Sequence, residues 1–235
     1  MKNKYLSHID YESIITGDGS SSLRDPVTGE TFHSTFGAVT ESNLVFIQNG
    51  LNYFVQNQST AKINLLEIGF GTGLNALLTL VEACRRSIQI EYTSIDAFPL
   101  SPENAAKLNF TQLAEFETFK NDFITFHNEA GIEQTFGNGL FKLKRIHIDL
   151  LELEPAKSYF DLIYFDAFSP NVQPELWSRQ VFVKLYEALK PGGILVTYSS
   201  KGVVKNALRE SGFTIERLAG PPGKRHVLRA VKLAD

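Results

Sequence analysis

An α/β fold with a mostly parallel sheet and helices on both faces is what this chain predicts, and three observations predict it. From residue 62 onward, short apolar runs alternate with amphipathic stretches of helical spacing. The runs, LIYF within FDLIYF above all, are apolar on both faces, as strands covered by helices must be. A glycine-rich turn, GFGTG, joins the first run directly to the first amphipathic stretch.

The elements follow in order. Residues 11–36 are rich in Gly, Ser, Asp and Thr, and DPVTGE reads as a turn between two short strands, a hairpin outside the main sheet. In TESNLVFIQNGLNYFVQN, residues 40–57, Leu44, Phe46, Ile47, Leu51, Phe54 and Val55 recur at helical spacing, with Thr40 as N-cap. Residues 1–60 thus form an N-terminal hairpin and helix elaboration, and residues 61–235 the main unit. KINLLEIG is a strand, LNALLTLVEACRR a helix and IEYTSIDAF a strand. SPENAAKLNFTQLAEFETF starts a helix with Ser101 as N-cap and Pro102 as first helical residue. EQTFGNGLFKLKRIHID holds a Gly-Asn-Gly turn between two strands, SYFDLIYFDAF is a strand and PELWSRQVFVKLYEALK a helix. KPGGILVTYSS is a strand, KGVVKNALRESG a helix ended by Gly212, and FTIERLAG and RHVLRAVKL are two last strands around GPPGKR.

Composition removes several classes. The 235 residues hold no apolar run of membrane-spanning length and no signal-peptide core, which predicts a cytoplasmic protein without a membrane span. The single cysteine, Cys84, excludes an internal disulfide and is read as packing. Five scattered histidines and no cysteine pair give no metal-ligand spacing, so no metal is expected. The net charge of −3 hides an asymmetry: residues 1–189 carry 14 Lys/Arg against 23 Asp/Glu, whereas residues 190–235 carry 9 against 3. A basic segment on an acidic body is suited to a polyanionic partner.

The chemistry lies at predicted strand ends. Gly69, Gly71 and Gly73 let the backbone turn tightly and let a ligand approach the main chain and the following helix N-terminus. Leu74 stands where a dinucleotide fingerprint needs its third glycine, and no Gly-Lys-Ser/Thr of a phosphate loop follows. The E-x-G-x-G-x-G spacing from Glu67, with Phe70 in its loop, resembles the first motif of class I S-adenosylmethionine-dependent methyltransferases. Asp96, closing the next strand, is placed to accept the hydroxyls of a ribose. Asp149 closes the third strand and Asp166 the fourth, beside the position of a reacting group. An amine nucleophile must attack as a neutral lone pair, although a primary aliphatic amine is mostly protonated at neutral pH, with a reference value of about 10. A carboxylate at Asp166 answers that need by holding the amine and taking its proton. Phe168 and Pro170 would wall such a site with apolar surface, while Phe36 and Phe98 are assigned to the core.

GFGTGLN, IDAFPL, FDLIYFDAFSP with NVQPELW behind it, GPPGKRHVLRA and the earlier TGETFHSTFGAVTES together resemble the methyltransferase domain of the MnmC family, bacterial tRNA 5-methylaminomethyl-2-thiouridine enzymes. The resemblance runs from about residue 28 almost to the C-terminus. It implies a Rossmann-like class I methyltransferase fold, with a seven-stranded, mostly parallel sheet, that methylates the aminomethyl group of the wobble uridine in tRNA. S-adenosyl-L-methionine is the implied donor, with S-adenosylhomocysteine as product. By position Glu67, Gly69, Phe70, Gly71 and Gly73 line its methionine end, Asp96 its ribose and Asp149 its adenine, where relatives often carry glycine in place of Ile148. Glu41 is assigned to the cofactor's ammonium and Asp166 to the reacting amine. Many relatives carry a second, FAD-dependent oxidase half; a chain ending at Asp235 is expected to lack it, and to depend on other enzymes to install the aminomethyl group.

With that target the basic segment reads as a contact for the anticodon stem-loop. Lys201, Lys205 and Arg209 share one helical face, and Lys224 and Arg225 sit in the last loop. Trp177 is a candidate for stacking on a splayed base, with packing on the sheet, the commoner fate of a helix Trp there, as the alternative. Two rivals stay open: a small-molecule amine methyltransferase or aminopropyltransferase on the same scaffold, and a tRNA-binding or cofactor-sensing module without catalysis.

Overall fold

Apolar strands become stable only when their backbone groups pair and both faces are covered, and the order of pairing decides where a site forms. The computed structural model describes residues 9–58, 60–128 and 131–234. Strands β1 (Glu12–Ile15) and β2 (Ser21–Arg24) form a separate antiparallel pair. Helix α1 (Ala38–Ser42) runs through a π-helical stretch, Asn43–Asn52, into α2 (Tyr53–Asn57). The chain continues through β3 (Lys62–Ile68), α3 (Leu74–Arg86), β4 (Gln89–Ile95), α4 (Pro102–Ala105), α5 (Lys120–Phe126), β5 (Glu133–Phe136), β6 (Phe141–Ile146) and β7 (Phe160–Phe165). It ends with α6 (Arg179–Ala188), β8 (Leu189–Thr197), α7 (Gly202–Glu210), β9 (Thr214–Ala219) and β10 (His226–Val231).

The main sheet has the order β5-β6-β4-β3-β7-β8-β10-β9. Strands β6, β4, β3, β7 and β8 pair in parallel, while β5 and β10 run against their neighbours. The sheet is therefore mostly parallel as predicted, but with eight strands rather than seven. The added edge strand is β5, folded back on β6 through a Gly-Asn-Gly turn in which Asn138 adopts φ 54°. From β3 the chain winds outward to β4 and β6, then returns to β7 on the other side, which makes the β3/β7 boundary the topological switch point.

Alternating side chains feed two cores, as both-face burial requires. Leu65, Tyr164 and Val196 face the cluster that holds Val45, Phe46 and Leu77, whereas Leu66, Ile163 and Leu195 face the one that holds Phe182, Leu185 and Val204. Leu23, Ala38 and Leu51 of the N-terminal segment belong to the first cluster, so the hairpin and first helix share the sheet's core. Gly50 lets that helix lie close on the sheet, since a Cβ there would come within 3.0 Å of Val196 and 3.1 Å of Tyr164.

Local readings are corrected in four places. The turn of the hairpin is Thr16–Ser20, and DPVTGE makes a second turn after β2, closed by the bridge between Arg24 and Thr31. The first helix begins at Ala38 after Gly37, and Thr40 is inside it rather than its cap. Its free N–H groups are instead met by the hairpin loop: Ala38 N donates to Thr16 Oγ1 (3.0 Å), Val39 N to Ser20 Oγ (3.2 Å) and Thr40 N to Asp18 Oδ2 (2.8 Å). The helix expected over residues 101–119 stops at Ala105, although Ser101 does cap it, accepting from Asn104 N at 3.3 Å. PELW forms a 3-10 turn, after which Ser178 caps α6.

Candidate functional site

Three strand ends are locked level with one another, and each is followed at once by a residue that points to chemistry. Ile68 on β3 stands opposite Ile95 on β4 and Phe165 on β7. Gly69 N donates to Ile95 O (2.8 Å), Asp166 N to Ile68 O (2.9 Å) and Asp96 N to Ile146 O (3.1 Å). A cavity of about 830 Å³ opens above these ends, within the usual size of small-ligand sites. Its lining includes Gly69, Phe70, Gly71, Asp96, Asp149 and Asp166, six residues the sequence singled out.

The glycine loop needs its glycines. Gly69, Gly71 and Gly73 have φ of 89°, 51° and 76°. A Cβ on Gly69 would sit 2.6 Å from the Asp166 carbonyl oxygen, and one on Gly73 would sit 3.1 Å from the Phe70 ring and from His127 Nε2. Two buried histidines clamp Thr72 between these glycines: His33 Nε2 lies 2.7 Å from its hydroxyl and His127 Nε2 3.1 Å from its carbonyl. Burial pushes both imidazoles down to about 4, which keeps them neutral at physiological pH.

Asp96 accepts from Gly71 N (3.0 Å) and Phe98 N (2.8 Å), one bond to each oxygen, and keeps lone pairs free toward the cavity. Asp149 lies three residues past the end of β6, exposed, with Leu151 N donating to it at 2.9 Å. Glu41 is buried on the wall, where it accepts from Ser34 N (3.0 Å) and pairs with Lys224, whose ammonium also lies 4.1 Å from the centre of the Tyr198 ring. Phe168 stands edge-on to Phe32 at 5.4 Å, an apolar corner of the lining.

Asp166 faces the cavity and is tied from behind. Asn75, in the first turn of α3, donates to Asp166 Oδ2 (2.9 Å) and to Glu67 Oε1 (3.1 Å), and Ser94 donates to Glu67 Oε2 (2.9 Å). Burial raises the Asp166 carboxyl to about 7; the Asn75 bond and Lys224 pull it down, and Glu41 pushes it up. A carboxyl poised there can accept a proton at neutral pH and release it again.

Glu67 lies beneath the lining rather than in it, wholly buried, which corrects its assignment to direct ligand contact. Burial raises it to about 8 against the Ser94 and Asn75 bonds, with Asp166 adding to the rise. The unfolded chain therefore loses this proton near 4.5 while the folded protein keeps it to about 8, so the stability it contributes is full at low pH and is lost as pH rises through that window. Glu67→Gln is expected to gain on the wild type by up to about 1.4 kcal/mol per pH unit between pH 5 and 8. Denaturant titrations of both proteins across that range check it; parallel curves would remove the buried proton.

Other candidates fall elsewhere. Trp177 is only 1% exposed, packs on Phe165 at 4.8 Å and donates its indole N–H to Phe168 O (2.8 Å), so it cannot stack on a base. Pro170 is buried outside the lining. Lys224 is committed to the cavity wall instead of the outer surface, while Lys201 and Arg225 are exposed, Lys205 is half-buried, and none of these three lines the cavity. Phe36, assigned to the core, is 60% exposed and lines the cavity, as does Phe98. Sequence reasoning missed Asn75, for which the only signal was its place two residues after Gly73. Among the described residues no group of three or more His, Cys, Asp or Glu side chains could hold a metal ion, and no helix is long and apolar enough to cross a membrane.

Comparison with known proteins gives the site its context. The family described as S-adenosyl-L-methionine-dependent methyltransferase matches residues 114–233. The tRNA 5-methylaminomethyl-2-thiouridine biosynthesis bifunctional protein MnmC of Burkholderia multivorans is 32% identical over 218 residues, 88% of this chain and 33% of that protein. The chain thus spans about a third of the length of such relatives. The crystal structure of MNMC2 from Aquifex aeolicus superposes with a TM-score of 0.73 at 26% identity, over 99% of this chain and 73% of that one. A probable spermidine synthase from Corynebacterium glutamicum, 15% identical, shares the fold with a TM-score of 0.55 over 94% of this chain and 76% of its own.

Proposed function

We infer that this chain, which belongs to the S-adenosyl-L-methionine-dependent methyltransferases, methylates the primary amine of the 5-aminomethyl group on the wobble (2-thio)uridine of tRNA. The observation that carries the reading is Asp166, turned into the cavity at the switch point with a carboxyl near neutrality. The names of the relatives support the same substrate.

The residues present fit the cofactor. Gly69, Gly71 and Gly73 leave open backbone where side chains would collide with the loop's surroundings, and Asp96 retains acceptor capacity beside them. Gly69, Phe70 and Gly71 would hold the methionine end, Asp96 the ribose hydroxyls, Asp149 the adenine amino group and Glu41 the ammonium, with Glu67 bracing the loop from below and Gly73, outside the cavity lining, letting the loop turn against Phe70 and His127. When bound, S-adenosyl-L-methionine supplies an electrophilic methyl on sulfur. Asp166 does the rest of the chemistry: it holds the acceptor nitrogen in line and takes its proton, so that a lone pair faces the methyl. An ordinary aspartate is a poor base toward an amine of about 10; a carboxyl raised to about 7 narrows that gap by about three units. Phe32 and Phe168 keep water from that corner.

Lys201, Lys205, Arg209 and Arg225 remain as cations for phosphates of the anticodon stem-loop, and each contact made would steepen the fall of activity with salt. The reaction is placed in the cytoplasm, downstream of the enzymes that install the aminomethyl group. The test is transfer of labelled methyl from S-adenosyl-L-methionine to tRNA from cells lacking this gene, read by nucleoside mass spectrometry. Label in methylaminomethyl uridine at the wobble position is expected, with turnover falling as salt rises. Label on small amines alone, indifferent to salt, would overturn the tRNA reading in favour of a metabolite methyltransferase.

A further inference from the structure

An exposed aromatic ring on a backbone held from every side calls for an explanation that folding does not supply. Phe36 is such a residue: it is 60% exposed, yet the segment carrying it is fixed. Gly17 N donates to Thr35 O (2.9 Å), Gly37 N to Ser34 O (3.2 Å) and Ser34 N to Glu41 Oε2 (3.0 Å). A Cβ at Gly17 would lie 2.7 Å from the Phe36 carbonyl oxygen, and one at Gly223 would run into the Phe36 ring. The ring therefore rests on the bare backbone of Gly223, in the loop whose next residues are Lys224 and Arg225. One side of it is built against protein, the other is open, and the residue lines the same cavity as Asp166.

We propose that Phe36 is the stacking platform for the acceptor nucleobase, a binding contact that rests on the tRNA reading above. The amine of an aminomethyl base is one carbon from its ring, so a base whose nitrogen reaches Asp166 keeps its ring near the rim of the cavity. Stacking on an aromatic face accepts any planar base, and it works on unpaired nucleotides of a loop. Arg225, exposed in the loop under Phe36, is close along the chain to meet the neighbouring phosphate. The ring thus performs the role that the burial of Trp177 denies to that residue.

The experiment compares wild type, Phe36→Ala, Phe36→Tyr and Phe36→Trp with aminomethyl-bearing tRNA, measuring KM for tRNA, kcat, cofactor Kd and sedimentation. Phe36→Ala is expected to raise KM for tRNA by roughly 5- to 150-fold, the range of one lost base stack, with cofactor Kd and melting temperature unchanged. The Tyr and Trp variants should retain a KM near that of the wild type, and the fluorescence of Phe36→Trp should be quenched by an anticodon stem-loop. If the wild type methylates tRNA and Phe36→Ala does so with a KM within twofold, the platform is wrong while the function stands. A change in self-association with unchanged KM would assign the ring to a protein contact and overturn the proposal. A wild type inactive on tRNA and an unquenched Trp variant would remove the function and the platform together.

Discussion

Asp166→Asn is expected to bind S-adenosyl-L-methionine with ordinary affinity and to lose turnover by about 10²- to 10⁴-fold, the usual worth of a positioned general base. The substitution keeps the shape of the side chain. Its amide oxygen can still accept from Asn75 Nδ2, as Asp166 Oδ2 does at 2.9 Å, and the backbone bond from residue 166 to Ile68 O is untouched. What changes is the group turned to the cavity, where an amide N–H that can only donate replaces an oxygen that accepts. Burial raises the wild-type carboxyl to about 7, so wild-type kcat should climb through that pH as the base is freed, and the variant should lack this limb. The groups that face Asp166 are Asn75 and Glu67 from behind, and Glu41, Lys224 and Tyr198 from the walls. Removing the Asn75 donor, as in Asn75→Leu, should therefore move the same limb to higher pH. Calorimetric cofactor affinity with kcat–pH profiles checks all of this, and normal turnover at saturation with weakened cofactor binding would sink the assignment.

Where the sequence was informative, the cause of structure was local. FDLIYF is buried on both faces because its side chains are apolar or aromatic apart from Asp161, which is paired with Lys190 (2.8 Å), and an acid directly after it has to emerge at the sheet's edge, which is how Asp166 could be found. The glycine loop was legible because positive φ at three positions within five residues leaves glycine as the ready choice. Where the cause was distant, the signal disappeared. Nothing near Thr40 says that the helix N–H groups are met by Thr16, Asp18 and Ser20 of a preceding loop. The helix begun at Ser101 breaks because Asn109 is claimed by the hairpin, donating to Gly19 O (3.0 Å) and accepting from Ser21 N (2.7 Å), while Phe110 turns inward to meet Phe123 at 5.8 Å. Phe36 and Trp177 exchanged places for a related reason: aromatic character tells that a ring wants cover, but only the packing decides which ring receives it from the protein.

Gly69→Ala is expected to cost more than any other single methyl in the site. At φ 89° an alanine is already in the region that disfavours a Cβ, a penalty of about 1–2 kcal/mol. The added carbon would also lie 2.6 Å from the carbonyl oxygen of Asp166. That neighbour is backbone, so no rotamer change relieves the contact. The ends of β3 and β7 must part, at the expense of the bond from Gly69 N to Ile95 O or of that from Asp166 N to Ile68 O. Overpacking of this kind costs about 1–3 kcal/mol, and together the two effects lower the melting temperature of a domain this size by roughly 4–20 °C. The same movement carries Asp166 away from the cofactor loop, so cofactor affinity and turnover in the fraction that stays folded should fall as well. Gly192→Ala separates the contributions: its φ is 79°, but a Cβ there meets only Gln58 Nε2 at 3.4 Å, near the start of β8 and far along that strand from the site. It should show the conformational penalty alone, with cofactor affinity intact. Equal losses of melting temperature in the two variants, with cofactor affinity retained in both, would mean that the close approach of Gly69 to Asp166 does not organise the site.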